Sequence, residues 1–247
     1  MVRSALSRPI FRKHRLAILA CWAGLCCATI SGNLRADEKG VSLFNGKDLT
    51  GWEGAPGWWK VEDGALTAQS TAEKPCTACN YLVWKGGQPG DFELTCEFKL
   101  SASANSGVQI RSETRPNFDT YGYQADMAGD GSLVGFVYHH KRGLVAERGQ
   151  HVNITAEGRR EVQPLGDAAE LGKHFKKEDW NTYRITCRGP EISIHLNGVL
   201  MCRFTDRDPG TAAPKGIIAL QMHPGPPMKI QFRNIMLKEL KPGGDGK

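Results

Sequence analysis

From Phe92 to Leu100 the chain alternates without a break: Phe92, Leu94, Cys96, Phe98 and Leu100 are apolar, while Glu93, Thr95, Glu97 and Lys99 are polar. A two-residue period puts one set on each face of a β-strand, so this segment reads as a strand with one face in a core and the other in water. Residues 101–107 are small and rich in turn formers, and the chain is expected to reverse there and return antiparallel from Val108. Burying Val108 and Ile110 would then send Gln109, Arg111 and Glu113 to the opposite face. The same rule applied to residues 121–126 sets Gln124 and Asp126 on one face and Tyr121 and Tyr123 on the other. Such a row of polar side chains invites a ligand; ordinary solvated strand polarity is the plainer alternative.

Strand-like runs recur along the rest of the chain. Residues 59–61 and 65–68 flank the turn Glu62-Asp63-Gly64, residues 183–187 precede Gly189-Pro190, and residues 134–140, 216–222 and 229–237 add three more. Ile192, Ile194 and Leu196 alternate up to Asn197-Gly198, after which residues 199–204 resume the pattern, as a hairpin with a two-residue type I′ turn requires. Helical periodicity is weak, with a turn or two expected within residues 167–175. Many short strands with Gly and Pro turns point to an all-β sandwich or jelly roll.

Residues 1–36 read as an export signal: a basic start (Arg8, Arg12, Lys13, Arg15), an apolar run over 16–30 and Ala36 before Asp37 as the cleavage point. The run is short for a bilayer span, so no integral membrane segment is expected once it is removed. It holds 6 of the 32 Lys and Arg residues and none of the 26 acidic ones, leaving a mature chain with 26 of each. A neutral balance gives no electrostatic footprint for nucleic acid or anionic membrane. The expected organisation is a signal over 1–36, one domain over 37–241 and a disordered tail over 242–247, in a protein exported to a bacterial periplasm or exterior.

Five cysteines remain after the signal. Cys96, Cys187 and Cys202 fall in strand-like runs and read as small buried hydrophobes. Cys76 and Cys79 read as a local loop disulfide or as free thiols, since a zinc site would need a second ligand pair at suitable spacing. No metal ligands are assigned. Among the histidines, His223 follows Gln221 at strand spacing, so both share a face; His139 and His140 are a candidate pair that exposure on a loop would explain equally well. Most of the tryptophans, Trp52, Trp58, Trp59, Trp84 and Trp180, are expected in the core rather than stacked on a ligand.

Several motifs in order along the chain resemble one family. They are Leu43-Phe44-Asn45-Gly46-Lys47-Asp48-Leu49-Thr50-Gly51-Trp52, Trp59-Lys60-Val61-Glu62-Asp63-Gly64, Asp91-Phe92-Glu93-Leu94, Ala104-Asn105-Ser106-Gly107-Val108, Trp180-Asn181-Thr182-Tyr183, Leu196-Asn197-Gly198 and Phe232-Arg233-Asn234-Ile235. Together they resemble the 3-keto-disaccharide hydrolase family across nearly the whole mature chain. The resemblance implies a concanavalin-like jelly-roll sandwich of two antiparallel sheets, export, a carbohydrate substrate, and cleavage of glycosides already oxidised at C3.

A C3 ketone acidifies the C2 proton, so a base can remove it and the aglycone leave from C1, with water then adding across the double bond. That chemistry needs a base, a group for the enolate oxygen and an acid for the leaving oxygen. Asp126, Glu113 and His223 are the catalytic candidates, and Arg111 is a candidate for the developing oxyanion. Gln109, Arg111, Gln124, Tyr138, His140 and Gln221 are the candidates for substrate binding. A divalent metal could supply the enolate role, and whether one is needed stays open. The Glu-x-Asp-x-x-Glu strand motif of common concanavalin-like endoglycanases is absent, which argues against an ordinary retaining glucanase. The alternative from another class is a noncatalytic exported carbohydrate-binding module.

Overall fold

The pairing of strands far apart in the sequence decides where the polar rows end up. A computed structural model describes residues 40–241; the expected signal and tail lie outside the described residues. In chain order the strands are β1 (Val41–Ser42), β2 (Trp52–Gly54), β3 (Trp59–Glu62), β4 (Ala65–Gln69), β5 (Asn80–Trp84), β6 (Phe92–Leu100), β7 (Asn105–Arg115), β8 (Asp119–Ala128) and β9 (Phe136–His139). There follow β10 (Gly143–Ala146), β11 (Gln150–Ile154), β12 (Arg160–Pro164), the short helix α1 (Ala168–Gly172), β13 (Asn181–Arg188), β14 (Glu191–Leu196), β15 (Val199–Asp206), β16 (Ile217–Met222) and β17 (Lys229–Glu239). Asp167 caps α1 by accepting from the Glu170 amide at 2.9 Å.

Two sheets result, as the jelly-roll expectation requires. Ten strands run β12-β11-β15-β14-β13-β6-β17-β4-β3 with β1 beside β17, and seven run β10-β9-β8-β7-β16-β5-β2. Pairing is antiparallel except between β11 and β15. The core lies between the sheets. The larger sheet contributes the alternating Phe92, Leu94, Cys96 and Phe98, and the smaller contributes Val108, Ile110, Tyr123, Ala125 and Leu220. Each such side chain removed from water contributes about 1.5–3 kcal/mol. Cys96, Cys187 and Cys202 are buried thiols in this core, and Cys76 and Cys79 are also free. Trp52 and Trp59 are core residues, while Trp180 lies under the Arg233 guanidinium.

The turn at Asn197-Gly198 has φ of 48° and 87°, the two positive values that a type I′ turn demands. Register shifts interrupt several pairings, and the one in β7–β8 bears on the site. In the β7–β8 pair Ile110 faces Tyr123 and Glu113 faces Tyr121, so Arg111 and Ser112 together oppose the single residue Gly122. This is a β-bulge, with Arg111 at φ 46°.

Candidate active site

Away from the core, the seven-stranded sheet presents a polar face with a cavity of about 310 Å³, at the small end of the roughly 300–1,000 Å³ usual for small-molecule sites. Strand β8 supplies Gln124 and Asp126 to it, Tyr138 and His140 come from β9 and the residue after it, and Gln221 and His223 come from the end of β16. All six share the cavity because the two-residue period points alternate side chains the same way.

Beneath them runs a row of hydrogen bonds. The Ser112 hydroxyl donates to Gln109 Oε1 at 2.8 Å, Gln109 Nε2 donates to Gln124 Oε1 at 2.6 Å, and Gln124 Nε2 donates to Asp126 Oδ1 at 3.0 Å. The Met127 amide also donates to Asp126 Oδ1 at 3.0 Å, which leaves Oδ2 for a ligand. Gly107 stands directly opposite Asp126, and a Cβ there would lie 2.3 Å from Gln124 Cδ, so only glycine lets the Gln124 amide lie across the strand. From the opposite sheet, the Tyr183 hydroxyl donates to the Asp126 carbonyl at 2.7 Å and accepts from the Gly135 amide at 2.6 Å.

Burial pushes the Asp126 carboxyl up to about 7, against the smaller lowering by Gln124 and the Met127 amide. A carboxylic acid that keeps its proton near neutrality is an acid catalyst in waiting. His223 complements it. Its Nδ1 lies 2.7 Å from the Pro224 carbonyl, which can only accept, so Nδ1 carries the hydrogen and neutral His223 keeps a lone pair on Nε2. Gln221 is nearly fully buried and gives Nε2 to the Tyr81 hydroxyl at 2.9 Å, while its Oε1 has no partner. Gln221 Oε1 is thus a buried acceptor without a protein partner beside the cavity, a cost the fold carries at this position.

The structure places two of the expected residues away from this cavity. The bulge turns Arg111 away, and its guanidinium binds the carbonyls of Gly90 and Gly189 and Asp91 Oδ1 (at 3.0 Å), bordering a separate cavity of about 180 Å³. Glu113, beyond the bulge, is exposed and sits 3.8 Å from Arg115. Neither reaches the Asp126 cavity. Gln109 is on the expected face but is fully buried under Gln124 and orients that amide instead of lining the cavity.

The histidine pair splits. His140 reaches the cavity, its Nε2 3.4 Å from the Tyr81 hydroxyl, while His139 packs on Tyr123 inside the sandwich. Burial, with Arg142 nearby, lowers His139 to about 4 and keeps it neutral.

Sequence reasoning also missed Tyr81, Cys79, Asn105, Leu133 and Leu144, which complete the wall. An interval of two from Cys79 to Tyr81 is the sole trace of this in the sequence. No Lys or Arg lines the cavity among the described residues, which suits an uncharged ligand. Nor do any three His, Cys, Asp or Glu side chains among them converge to hold a metal ion. The donor set therefore does not fit a divalent cation, and the chemistry available is that of the side chains.

Residues 39–238 match the model of the 3-keto-alpha-glucoside-1,2-lyase-like domain. The chain belongs to this family. Solved structures with the same fold include two proteins of Parabacteroides distasonis ATCC 8503, each described as a candidate glycosyl hydrolase. One is 19% identical with a TM-score of 0.54, covering 83% of this chain and 95% of its own. The other is 23% identical with a TM-score of 0.50, covering 78% and 96%. At these identities the likeness speaks for the jelly-roll fold alone. No curated protein matches the chain. Within this lyase-like domain no helix among the described residues is long and apolar enough to cross a membrane.

Proposed function

We propose that this chain cleaves the glycosidic bond of sugars oxidised at C3, by elimination followed by hydration. The observation that carries the reading is the pairing, in one cavity, of a carboxyl group that holds its proton near neutral pH with a histidine whose Nε2 is free to accept one. In this mechanism His223 Nε2 takes the C2 proton, and the electron pair of that bond moves into the enolate formed with the C3 ketone. The C1–oxygen bond then breaks as Asp126 Oδ2 gives its proton to the departing oxygen, leaving a double bond between C1 and C2. Water then adds its oxygen to C1 as the Asp126 carboxylate takes one of its protons, and the imidazolium returns a proton to C2, so both groups are restored and the sum is hydrolysis. The remaining N–H of Gln124 and the Tyr138 ring orient the sugar. Arginine has no part here, so the enolate oxygen depends on neutral donors.

Membership of the lyase-like family supports this assignment, as does a wall without Lys or Arg among the described residues. We extend the proposal to export, since the basic and apolar stretch of residues 1–36 precedes the family match. The polar, uncharged lining of the cavity would serve a noncatalytic sugar-binding module equally well. Incubation with a 3-keto-glucoside bearing a chromogenic leaving group, beside the unoxidised glucoside and a chelator-treated sample, separates the readings. Release from the keto substrate alone is expected, unchanged by chelator. Saturable sugar binding without release from either substrate would favour the binding module.

A further inference from the structure

The row of amides under the cavity has a direction, and the direction has a chemical consequence. Asp126 Oδ1 already accepts two N–H groups, from Gln124 Nε2 and the Met127 amide, each at 3.0 Å. A proton on that oxygen would meet both donors, so the acid proton belongs on Oδ2. The Met127 donor is fixed because a backbone N–H cannot reverse. The Gln124 donor is not, since the two ends of a glutamine amide have nearly the same shape and exchange by rotation. What holds Gln124 with nitrogen toward Asp126 is Gln109, which offers Nε2 to Gln124 Oε1 at 2.6 Å while its own Oε1 takes the Ser112 hydroxyl at 2.8 Å.

We propose that Gln109, with Ser112 behind it, is a positioning residue that selects Oδ2 as the proton-bearing oxygen of Asp126 and so aims the acid at the substrate. The inference rests on the reading of Asp126 as the acid. Gln109 has no exposed surface and makes no contact with the cavity, so it can influence turnover only through Gln124. Other titratable groups face the same space: Tyr138 and His140 from the β9 side, His223 beyond β16, and Cys79 and Tyr81 at β5. Tyr183 approaches from the opposite sheet but binds the Asp126 backbone, not its carboxyl. None of these makes a hydrogen bond with the carboxyl oxygens, whose partners are Gln124 and the Met127 amide.

The test uses the full chain with ¹³C-labelled carboxyl groups, the Asp126 signal being assigned by its loss in Asp126→Asn. In Gln109→Glu, at pH values where the buried new side chain is itself ionised, the carboxylate can only accept, which turns Gln124 Nε2 toward it and Oε1 toward Asp126. The titration midpoint of Asp126 should rise by about one pH unit, the effect of losing one hydrogen bond to a charged group. With a keto-glycoside, kcat should fall about tenfold while KM holds. Gln109→Met, neutral and of similar length, should move the midpoint in the same direction by less, which separates the amide row from simple charge repulsion. A folded Gln109→Glu or Gln109→Met variant with the wild-type midpoint would overturn the proposal, because a purely structural role lowers melting temperature without moving a titration. The carboxyl titration needs no substrate, so a wild type that turns over no keto-glycoside would sink the proposed function and leave this one standing on its own measurement.

Discussion

On the outer face of the ten-stranded sheet Glu93 lies 3.6 Å from Arg184 and Glu97 lies 2.7 Å from Arg233, all four partly in solvent. On the outer face of the seven-stranded sheet Gln109, Gln124, Asp126 and Gln221 are buried, and their partners are amides, hydroxyls and backbone. Both faces read as polar alternation in the sequence. The first is polar because water and mobile counter-charges surround it, which makes each pair worth little. The second is polar but buried, so each group needs a specific partner and an unmatched one is costly. The candidate site face is thus set apart less by its polarity than by polar groups that are buried, directional and in one case unsatisfied.

The contrast can be tested by substitutions of decreasing effect. Asp126→Asn keeps the shape and the hydrogen-bonding row but removes the acid, and turnover of the keto substrate should fall by about 10²–10⁴-fold while sugar binding, read by calorimetry, survives. Unchanged turnover would remove Asp126 from the chemistry. Gly107→Ala should drive Gln124 off Asp126, costing about 1–3 kcal/mol in a denaturant titration and about tenfold in kcat.

The same Asp126→Asn variant should also be more stable than wild type at high pH. The Asp126 carboxyl titrates near 7 in the fold against 3.8 in a reference state, so folding holds a proton that the unfolded chain releases. The wild type therefore loses stability as pH rises from about 4 to about 7, by an amount of order 3 kcal/mol, and the Asn variant escapes that loss. Melting curves at pH 4 and pH 8 check it: the two proteins should agree at the lower pH and separate at the higher. On the other face, Glu93→Ala should cost at most about 1 kcal/mol and leave kcat unchanged.

Much of this arrangement was legible in the chain itself. The alternation of β6, the turn of the β14–β15 hairpin, and the shared faces of Gln124 with Asp126 and of Gln221 with His223 all follow from a period of two over those residues. The bulge escaped because one inserted residue leaves no compositional mark on its own strand. Its trace is Gly122 opposite, where a Cβ would stand 2.4 Å from Ser112 Oγ. Tyr81 escaped for another reason: β5 reads as the nearly unbroken apolar run Tyr81-Leu82-Val83-Trp84, since its outward tyrosine is itself covered by the site. The neighbours His139 and His140 had to part by strand periodicity, one inward and one outward, a division the sequence contained and the exposed-pair reading overlooked.

The Tyr183 hydroxyl holds the backbone of Asp126 from across the core, in contact with the Gly135 amide as well. The proposed acid is therefore held by both sheets of the closed sandwich. A partly assembled chain would be chemically silent, and during refolding the return of catalysis should lag the formation of strands and coincide with the locking of the two layers. Turnover would then serve as a clock for the last step of folding, with Tyr183→Phe the variant that unhitches the two.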